Sequence, residues 1–287
     1  MAELVCVGCG PGDPELLTLK AKRIIESVDV IIYADSLVHP SILDFAKSGA
    51  EVHGSRVLNL GEIMTLTLDA VRQGKTVARI QSGDPAIYGA TFEQMRLLEK
   101  EGVDYEVIPG VSAAFAAAAV LKAELTVPEV SQTVIMTRAE GRVAMPEGEQ
   151  LADLASQGCT LIIFLSVTRM TRVVRQLTQA GYPKSTPVAV VYRVGWPDEK
   201  VIRGTLTDIA KKVREAKITL QALIMVGNVV DPGINRTSVD EEEQLTISKL
   251  YSKDYTHLYR KGRLPRPRSA RPAKPPEQDA EIATLKE

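Results

Sequence analysis

Over residues 4–122, short apolar runs alternate with stretches whose apolar residues recur at helical spacing. No other feature of this 287-residue chain limits its fold as strongly. Residues 4–7, 28–33, 76–81 and 104–108 have the length and apolar content of buried strands. Between the first two, Leu17, Ala21, Ile24, Ile25 and Val28 fall on one helical face behind Thr18, a candidate N-cap. Helices are expected near 40–48, 63–73 and 90–100, and an Ala-rich one over 111–122. Strands separated by helices lie parallel, with the helices on the faces of the sheet, so the first half reads as α/β.

Beyond Pro128 the rhythm restarts, with strands expected at 133–137, 160–165, 188–192, 201–202 and 222–226 and helices near 147–156, 171–180 and 206–216. Two of these strands flank "WPDEK" (196–200), which reads as a hairpin and makes the second sheet mixed. The expected organisation is an N-terminal α/β domain over 1–125 and a C-terminal α/β domain over 126–232, hinged around 122–131. A charged, Pro-rich, disordered tail is expected over 233–287. In that tail, nine Lys/Arg stand against one acidic residue between Lys249 and Lys274.

Charge and composition narrow the function. A formal net charge of −1 carries no signature of nucleic-acid binding. The apolar run 111–121 is far shorter than a membrane span, and no basic segment with an apolar core opens the chain. Three cysteines do not make a disulfide framework, so a cytoplasmic protein is expected. Cys6 and Cys9 form a C-x-x-C, but Cys6 lies in an apolar run and Gly10-Pro11-Gly12-Asp13 follows Cys9 where a redox pair wants a helix. His39, His53 and Cys159 show no ligand spacing, and no metal is expected.

Chemistry is written in two loops. "GCGPGDP" (8–14) and "SGDP" (82–85) both follow strands, where open α/β sheets bind ligands. A phosphate site needs free N–H groups and a positive field, whereas these loops offer prolines, Asp13 and Asp84. Glycine-lined, acidic loops suit a ligand with a positive charge and sugar hydroxyls, and S-adenosyl-L-methionine has both and no phosphate. The rival is a dinucleotide-dependent oxidoreductase: Gly8-x-Gly10 with Asp35 downstream meets that fingerprint in part, but the third glycine is misplaced. A nucleotide-sensing module is a further alternative.

"VGCGPGDPELLTLKA", "IIYADSLV" (31–38), "SGDPAIYG" (82–89), "EVIPGVSA" (106–113) and "ALIMVGNVV" (222–230) together resemble the tetrapyrrole methylase family, in the family's order and over residues 3–231. Within it, "QTVIMTRAEGR" (132–142) and "VVYRVGWPDEK" (190–200) look most like the cobalamin-pathway branch that methylates precorrin-4 at C-11. The resemblance implies two α/β domains with the methyl donor, S-adenosyl-L-methionine, in the cleft between them, and a homodimer. It places the donor on Pro11, Ser82, Gly83, Asp84, Ile87, Ser112, Ala113, Leu165, Tyr192, Arg193, Val194 and Ala222. S-adenosyl-L-homocysteine would be the product. A tetrapyrrole with acetate and propionate arms calls for cations, and Arg138, Arg142 and Arg193 are the candidates, the alternative being ion pairs with Glu140 or Asp198. Tyr88 would shape the cleft, and Asp35 is the candidate base or pyrrole-steering group. "YADSLV" departs from the "YDRLV" of uroporphyrinogen methylases, no matching downstream lysine is found, and Ser82 replaces a glycine. Family relatives acting on diphthamide intermediates or rRNA ribose share the donor loops.

Overall fold

The structure is a computed structural model that describes residues 2–235 and 255–262. The chain divides into a compact unit, Met1–Asp240, and a second, Glu241–Glu287. Of the second, residues 255–262 form a turn bridged by His257 and Arg260. The expectation of a disordered tail falls largely outside the described residues.

The first sheet contains β1 (Leu4–Gly8), β2 (Val30–Tyr33), β3 (Glu51–Gly54), β4 (Val77–Gln81) and β5 (Tyr105–Ile108), in the order β3-β2-β4-β1-β5 with every pair parallel. Helices α1 (Leu19–Ile25), α2 (Leu60–Arg72) and α3 (Thr91–Glu101) cover it. Alternating strand residues go to opposite faces. Val5, Val7, Ile31, Ala78 and Ile80 pack on Ala21, Ile24 and Ile25 of α1, while Leu4, Val30, Ile32 and Val77 pack on Ile63 and Met64 of α2 and Leu98 of α3. Burial on both faces is why these strands read as unbroken apolar runs. Thr18 does cap α1, its Oγ1 accepting from the Ala21 amide at 3.1 Å.

Two local expectations change. The helix expected near 40–48 is a 3-10 turn, Pro40–Phe45, entered through His39, whose Nδ1 accepts from the Ser41 amide. Strand β3 was not anticipated. It is a four-residue edge strand, "EVHG", with its first two residues exposed, so it lacks the apolar run by which its neighbours were recognised.

The second sheet contains β6 (Val134–Arg138), β7 (Thr160–Phe164), β8 (Pro187–Tyr192), β9 (Lys200–Thr205) and β10 (Ala222–Val226), ordered β6-β7-β10-β8-β9. It is mixed: β6 and β7 are parallel, β10 is antiparallel to β7 and β8, and β8–β9 is the hairpin read around "WPDEK". Helices α5 (Leu151–Ala155), α6 (Met170–Gln179) and α7 (Ile209–Glu215) pack on one face through Leu151, Val173, Leu177, Ile209 and Val213. The other face takes α4 (Ala113–Leu121), which leaves the end of β5 and lays Ala114, Ala117, Ala118 and Leu121 on Ile162, Ala189, Val191, Leu223 and Met225. Its alanines let the helix backbone approach the sheet closely, so one helix rises from the first sheet and packs on the second.

Candidate functional site

Strand direction places the site. All five strands of the first sheet are parallel, so the loops after β1, β2, β4 and β5 share one edge. In the second sheet β6, β7 and β8 end where β10 begins, because Ala222 pairs with Tyr192. These two edges meet. Trp196 Nε1, in the β8–β9 hairpin, donates to Pro11 O at 3.2 Å, and the Gln221 side chain donates to Ser36 O. The Tyr88 and Phe164 rings lie 5.3 Å apart, and His39 meets Trp196 edge-on at 4.7 Å.

Every residue assigned to the donor or substrate site from the sequence falls on this pair of edges or in a loop leaving it. Pro11, Gly83 and Ser112 are buried on the first side, with Asp35, Ser82, Asp84, Ile87 and Ala113 partly buried and Tyr88 exposed. On the second side Val194 is buried, Arg138, Tyr192, Arg193 and Ala222 are partly buried, and Leu165 and Arg142 are exposed.

The roles of the glycines and acids differ from the sequence expectation. The glycines were expected to bare backbone to a ligand; most of them bare it to other loops. A Cβ on Gly8 would stand 2.6 Å from Gly110 N, and one on Gly110 would stand 2.2 Å from Gly83 O. Gly10 and Gly83 exchange backbone hydrogen bonds at 3.2 and 2.7 Å. Asp13 and Asp84 were expected to face a cation, but both serve backbone amides. Asp13 accepts from Glu15 N, while Asp84 accepts from Ala86 N at 2.8 Å and from Gly110 N at 3.0 Å. Three strand ends, those of β1, β4 and β5, converge on one edge, where Gly8 and Gly110 leave no room for a Cβ and Asp84 is the acceptor that ties the loops. The conclusion against phosphate survives on new grounds: the Gly10, Gly83 and Gly110 amides that would cradle one are already donating.

Backbone conformation marks the edge. Leu165, Arg193 and Gln221 adopt left-handed φ values of 52°, 47° and 50°, and across from them Tyr88 and Ala90 do the same at 55° and 49°. Such residues cost about 1–2 kcal/mol each and gather where a site demands them. Leu165 is also 63% exposed. Leu165→Gly is therefore expected to raise stability by about 0.5–1 kcal/mol, the strain relief less the entropy of glycine. It should lower kcat/KM by removing an apolar surface from the cleft. Melting curves and steady-state kinetics check it; a fall in both would make Leu165 a packing residue.

The arginines divide by what holds them. Arg138 donates to Val143 O and Ala144 O, shaping its own loop. Arg193 donates to Gln221 and Asp198 and lies 4.5 Å over the Trp196 ring, so its ion pair with Asp198 is formed. Glu140 pairs with Arg172 rather than with Arg138 or Arg142. Partial burial raises the Tyr88 phenol above its ordinary pKa, with the nearby Arg138 pulling the other way. Burial pushes the Cys6 thiol up to about 11 and Cys9 up to about 12, which fits core thiols and not a redox pair.

The family model for tetrapyrrole (corrin/porphyrin) methylases matches residues 3–210. The chain is a tetrapyrrole methylase. This methylase is 52% identical over 259 residues to the cobalt-precorrin-4 C(11)-methyltransferase of Methanocaldococcus jannaschii, covering 90% of this chain and 96% of that one. It is 44% identical over 256 residues to the precorrin-4 C(11)-methyltransferase of Pseudomonas aeruginosa, covering 89% and 98%. Its structure resembles the X-ray structure of a cobalt precorrin-4 methyltransferase, with a TM-score of 0.78 and 48% identity over 80% of this chain and 96% of that one. A uroporphyrin-III C-methyltransferase from Thermus thermophilus complexed with S-adenosylhomocysteine gives 0.66 and 29%, over 79% and 98%.

Sequence reading of the methylase missed Trp196, Gln221 and His39, which join the two edges. Trp196 had a usable signal, being the single tryptophan of the chain and sitting in a hairpin turn. Gln221 had none, since it matters only through a partner distant in sequence. A separate cavity of about 200 Å³ opens at the far edge of the second sheet, among Cys159, Thr160, Tyr182, Thr186 and Gly227. None of the residues assigned to the donor or substrate site from the sequence lines it.

Proposed function

We propose that this methylase moves the methyl group of S-adenosyl-L-methionine to C-11 of precorrin-4, with or without cobalt in the macrocycle, on the route to cobalamin. The observation that carries the reading is the pair of facing loop edges in a chain matching precorrin-4 C(11)-methyltransferases over nearly its whole length. Exposed apolar side chains stand along those edges: Leu37 after β2, Val57 after β3, Tyr88 after β4 and Leu165 after β7. With Arg142 exposed beside them, they suit a flat, largely apolar ring system rimmed with carboxylates.

The residues present fit the methyl donor. Uncharged surfaces of Ile87, Ala113, Leu165, Val194 and Ala222 suit an adenosyl group, and the loop amides around Gly83 leave no place for phosphate. Pro11, Ser82, Gly83, Asp84, Ser112, Tyr192 and Arg193 complete the assigned donor site. When bound, S-adenosylmethionine supplies an electrophilic sulfonium methyl and leaves S-adenosylhomocysteine. The chain contributes position and exclusion of water. Tightly tied loops hold one wall, Tyr88 and Phe164 close the cleft above β4 and β7, and Trp196 pins the hairpin to Pro11. Residues 1–125 and 126–232 act as the two lobes of this cleft.

A homodimer is part of the same reading. Support comes from β5, an edge strand, and the adjoining α4, which together expose Val107, Phe115 and Val120. A cytoplasmic location follows from the chemistry of the donor and substrate. Among the described residues no helix is long and apolar enough to cross a membrane.

Two measurements test the function. Incubation with S-adenosylmethionine and precorrin-4, with and without cobalt, should add one methyl group by mass, located at C-11 by NMR. Methylation of uroporphyrinogen instead would move the enzyme to another step of the family. S-adenosylhomocysteine at a hundred times its Kd should stabilise the fold by about 2.7 kcal/mol and raise the melting temperature, while NAD and ATP leave it unchanged. A shift with NAD alone would restore the dinucleotide reading.

A further inference from the structure

We propose that Arg56 receives a carboxylate of the tetrapyrrole and that Asp35 is the positioning residue that presents it, a reading that rests on the function proposed above. Asp35 follows β2 and Arg56 follows β3, two parallel neighbours, so both stand on the cleft edge of the first sheet. Both Asp35 oxygens are taken by this one partner. The Arg56 amide donates to Oδ1 at 2.7 Å, and Arg56 Nε lies 3.2 Å from Oδ2. The carboxylate also lies flat against Gly54, where a Cβ would stand 2.8 Å from Asp35 Cγ and 2.9 Å from Oδ2. Its side chain is 18% exposed, whereas that of Arg56 is 66% exposed.

This is a poor arrangement for a base and a good one for a presented cation. A carboxylate with both oxygens engaged and glycine backbone against it has little room to meet a carbon-bound or pyrrole proton. Arg79 adds to the constraint. Its guanidinium is buried beneath β4, donating to Ile32 O and Gln94, and feels the charge of Asp35 without pairing with it. A guanidinium held at Nε keeps its outer pair of nitrogens as a second fork, matched to a carboxylate. On Arg56 these outer nitrogens have no partner among the described residues.

The location suits a macrocycle whose methylated carbon lies elsewhere. β3 stands two strand spacings, about 10 Å, from β4 and its donor loop. Leu37 and Val57, 45% and 81% exposed, flank the pair and offer apolar contact next to the charge. Ser36, beside Asp35, accepts from Gln221 of the opposite edge, so this corner belongs to the same cleft.

The test is a double-mutant cycle with Asp35→Ala, Arg56→Ala and both together, plus Arg56→Lys, each checked by melting. Precorrin-4 is varied at saturating S-adenosylmethionine, and S-adenosylhomocysteine affinity is measured by calorimetry. Each single change should raise KM for precorrin-4 about ten-fold or more, with kcat close to wild type and donor-product affinity unchanged. The double variant should lose no more than the worse single one, and Arg56→Lys should recover part of the loss. A kcat collapse in Asp35→Ala with Arg56→Ala unaffected would overturn the proposal in favour of Asp35 as base, and independent, additive losses would also overturn it. If wild-type enzyme binds S-adenosylhomocysteine but leaves precorrin-4 unmethylated, the functional reading fails separately. Uroporphyrin, an octacarboxylate, then becomes the probe, followed by Trp196 fluorescence. Weaker binding to Arg56→Ala supports the presented cation, and equal binding overturns it.

Discussion

Gly110→Ala is expected to abolish methyl transfer and to lower the melting temperature by roughly 6–12 °C, taking about 3 kcal/mol of overpacking and a few degrees per kcal/mol for a protein of this size. The added Cβ would meet Gly83 O at 2.2 Å, Gly8 C at 2.7 Å and Gly8 O at 2.8 Å. All three are backbone atoms of other loops, and none retreats without opening the clasp in which Gly10 and Gly83 bond one another and Asp84 accepts the Gly110 amide. The comparison is Gly83→Ala. There the conformation is left-handed, with φ +66°, but the nearest atom stands at 3.6 Å, so the cost is strain of about 1–2 kcal/mol without collision. Differential scanning calorimetry on both variants ranks them. If Gly110→Ala melted with wild type, the convergence of three strand ends would not be what requires glycine there.

Trp196→Ala should be the second large loss, with S-adenosylhomocysteine affinity falling by about ten- to a hundred-fold and the fold weakened by about 3 kcal/mol. That sum takes about 1 kcal/mol for the hydrogen bond to Pro11 O, about 1 for the Arg193 contact, and the remainder for packing against His39 and Gly12. Gly12 makes the fit tight from the other side, because a Cβ there would stand 2.2 Å from the indole. Trp196→Phe keeps the ring and loses the N–H donor, so it should recover the packing share only. Calorimetric titration and thermal melts separate the two. Unchanged donor-product affinity in Trp196→Ala would place the joint between the sheets outside the donor site.

The parts of the fold that were legible are those in which a local pattern has a local cause. Strands β1, β2, β4 and β7 are buried on both faces, so each had to be an apolar run. Thr18 caps α1 through an amide three residues away, and the "WPDEK" turn joins adjacent antiparallel strands. Strand β3 was invisible because an exposed edge strand carries no such pattern. The positions proposed for the site were assigned for a similar reason: they sit at the ends of recognisable strands, where parallel topology collects loops on one edge.

Roles within that edge were harder to read. Asp13 and Asp84 look like cation acceptors in a linear chain, but their partners are the amides of Glu15, Ala86 and Gly110, the last contributed from another loop. Arg193 was named for a substrate carboxylate, yet its donors reach Asp198 and Gln221. Asp35 was named as a base, and only the parallel pairing of β2 with β3 brings Arg56 against it.

By itself, then, the sequence determined the α/β class, the mixed second sheet and which loops leave the recognisable strands. Periodicity, turn chemistry and residue type act within a few residues, and those properties depend on nothing more. The tertiary structure alone decided that glycines 8 and 110 admit each other's strand ends, that Trp196 and Gln221 join the two edges, and which partners Arg56, Arg138 and Arg193 take. Those outcomes depend on distances between residues far apart in the chain, which exist only once both sheets have formed and α4 has packed one against the other.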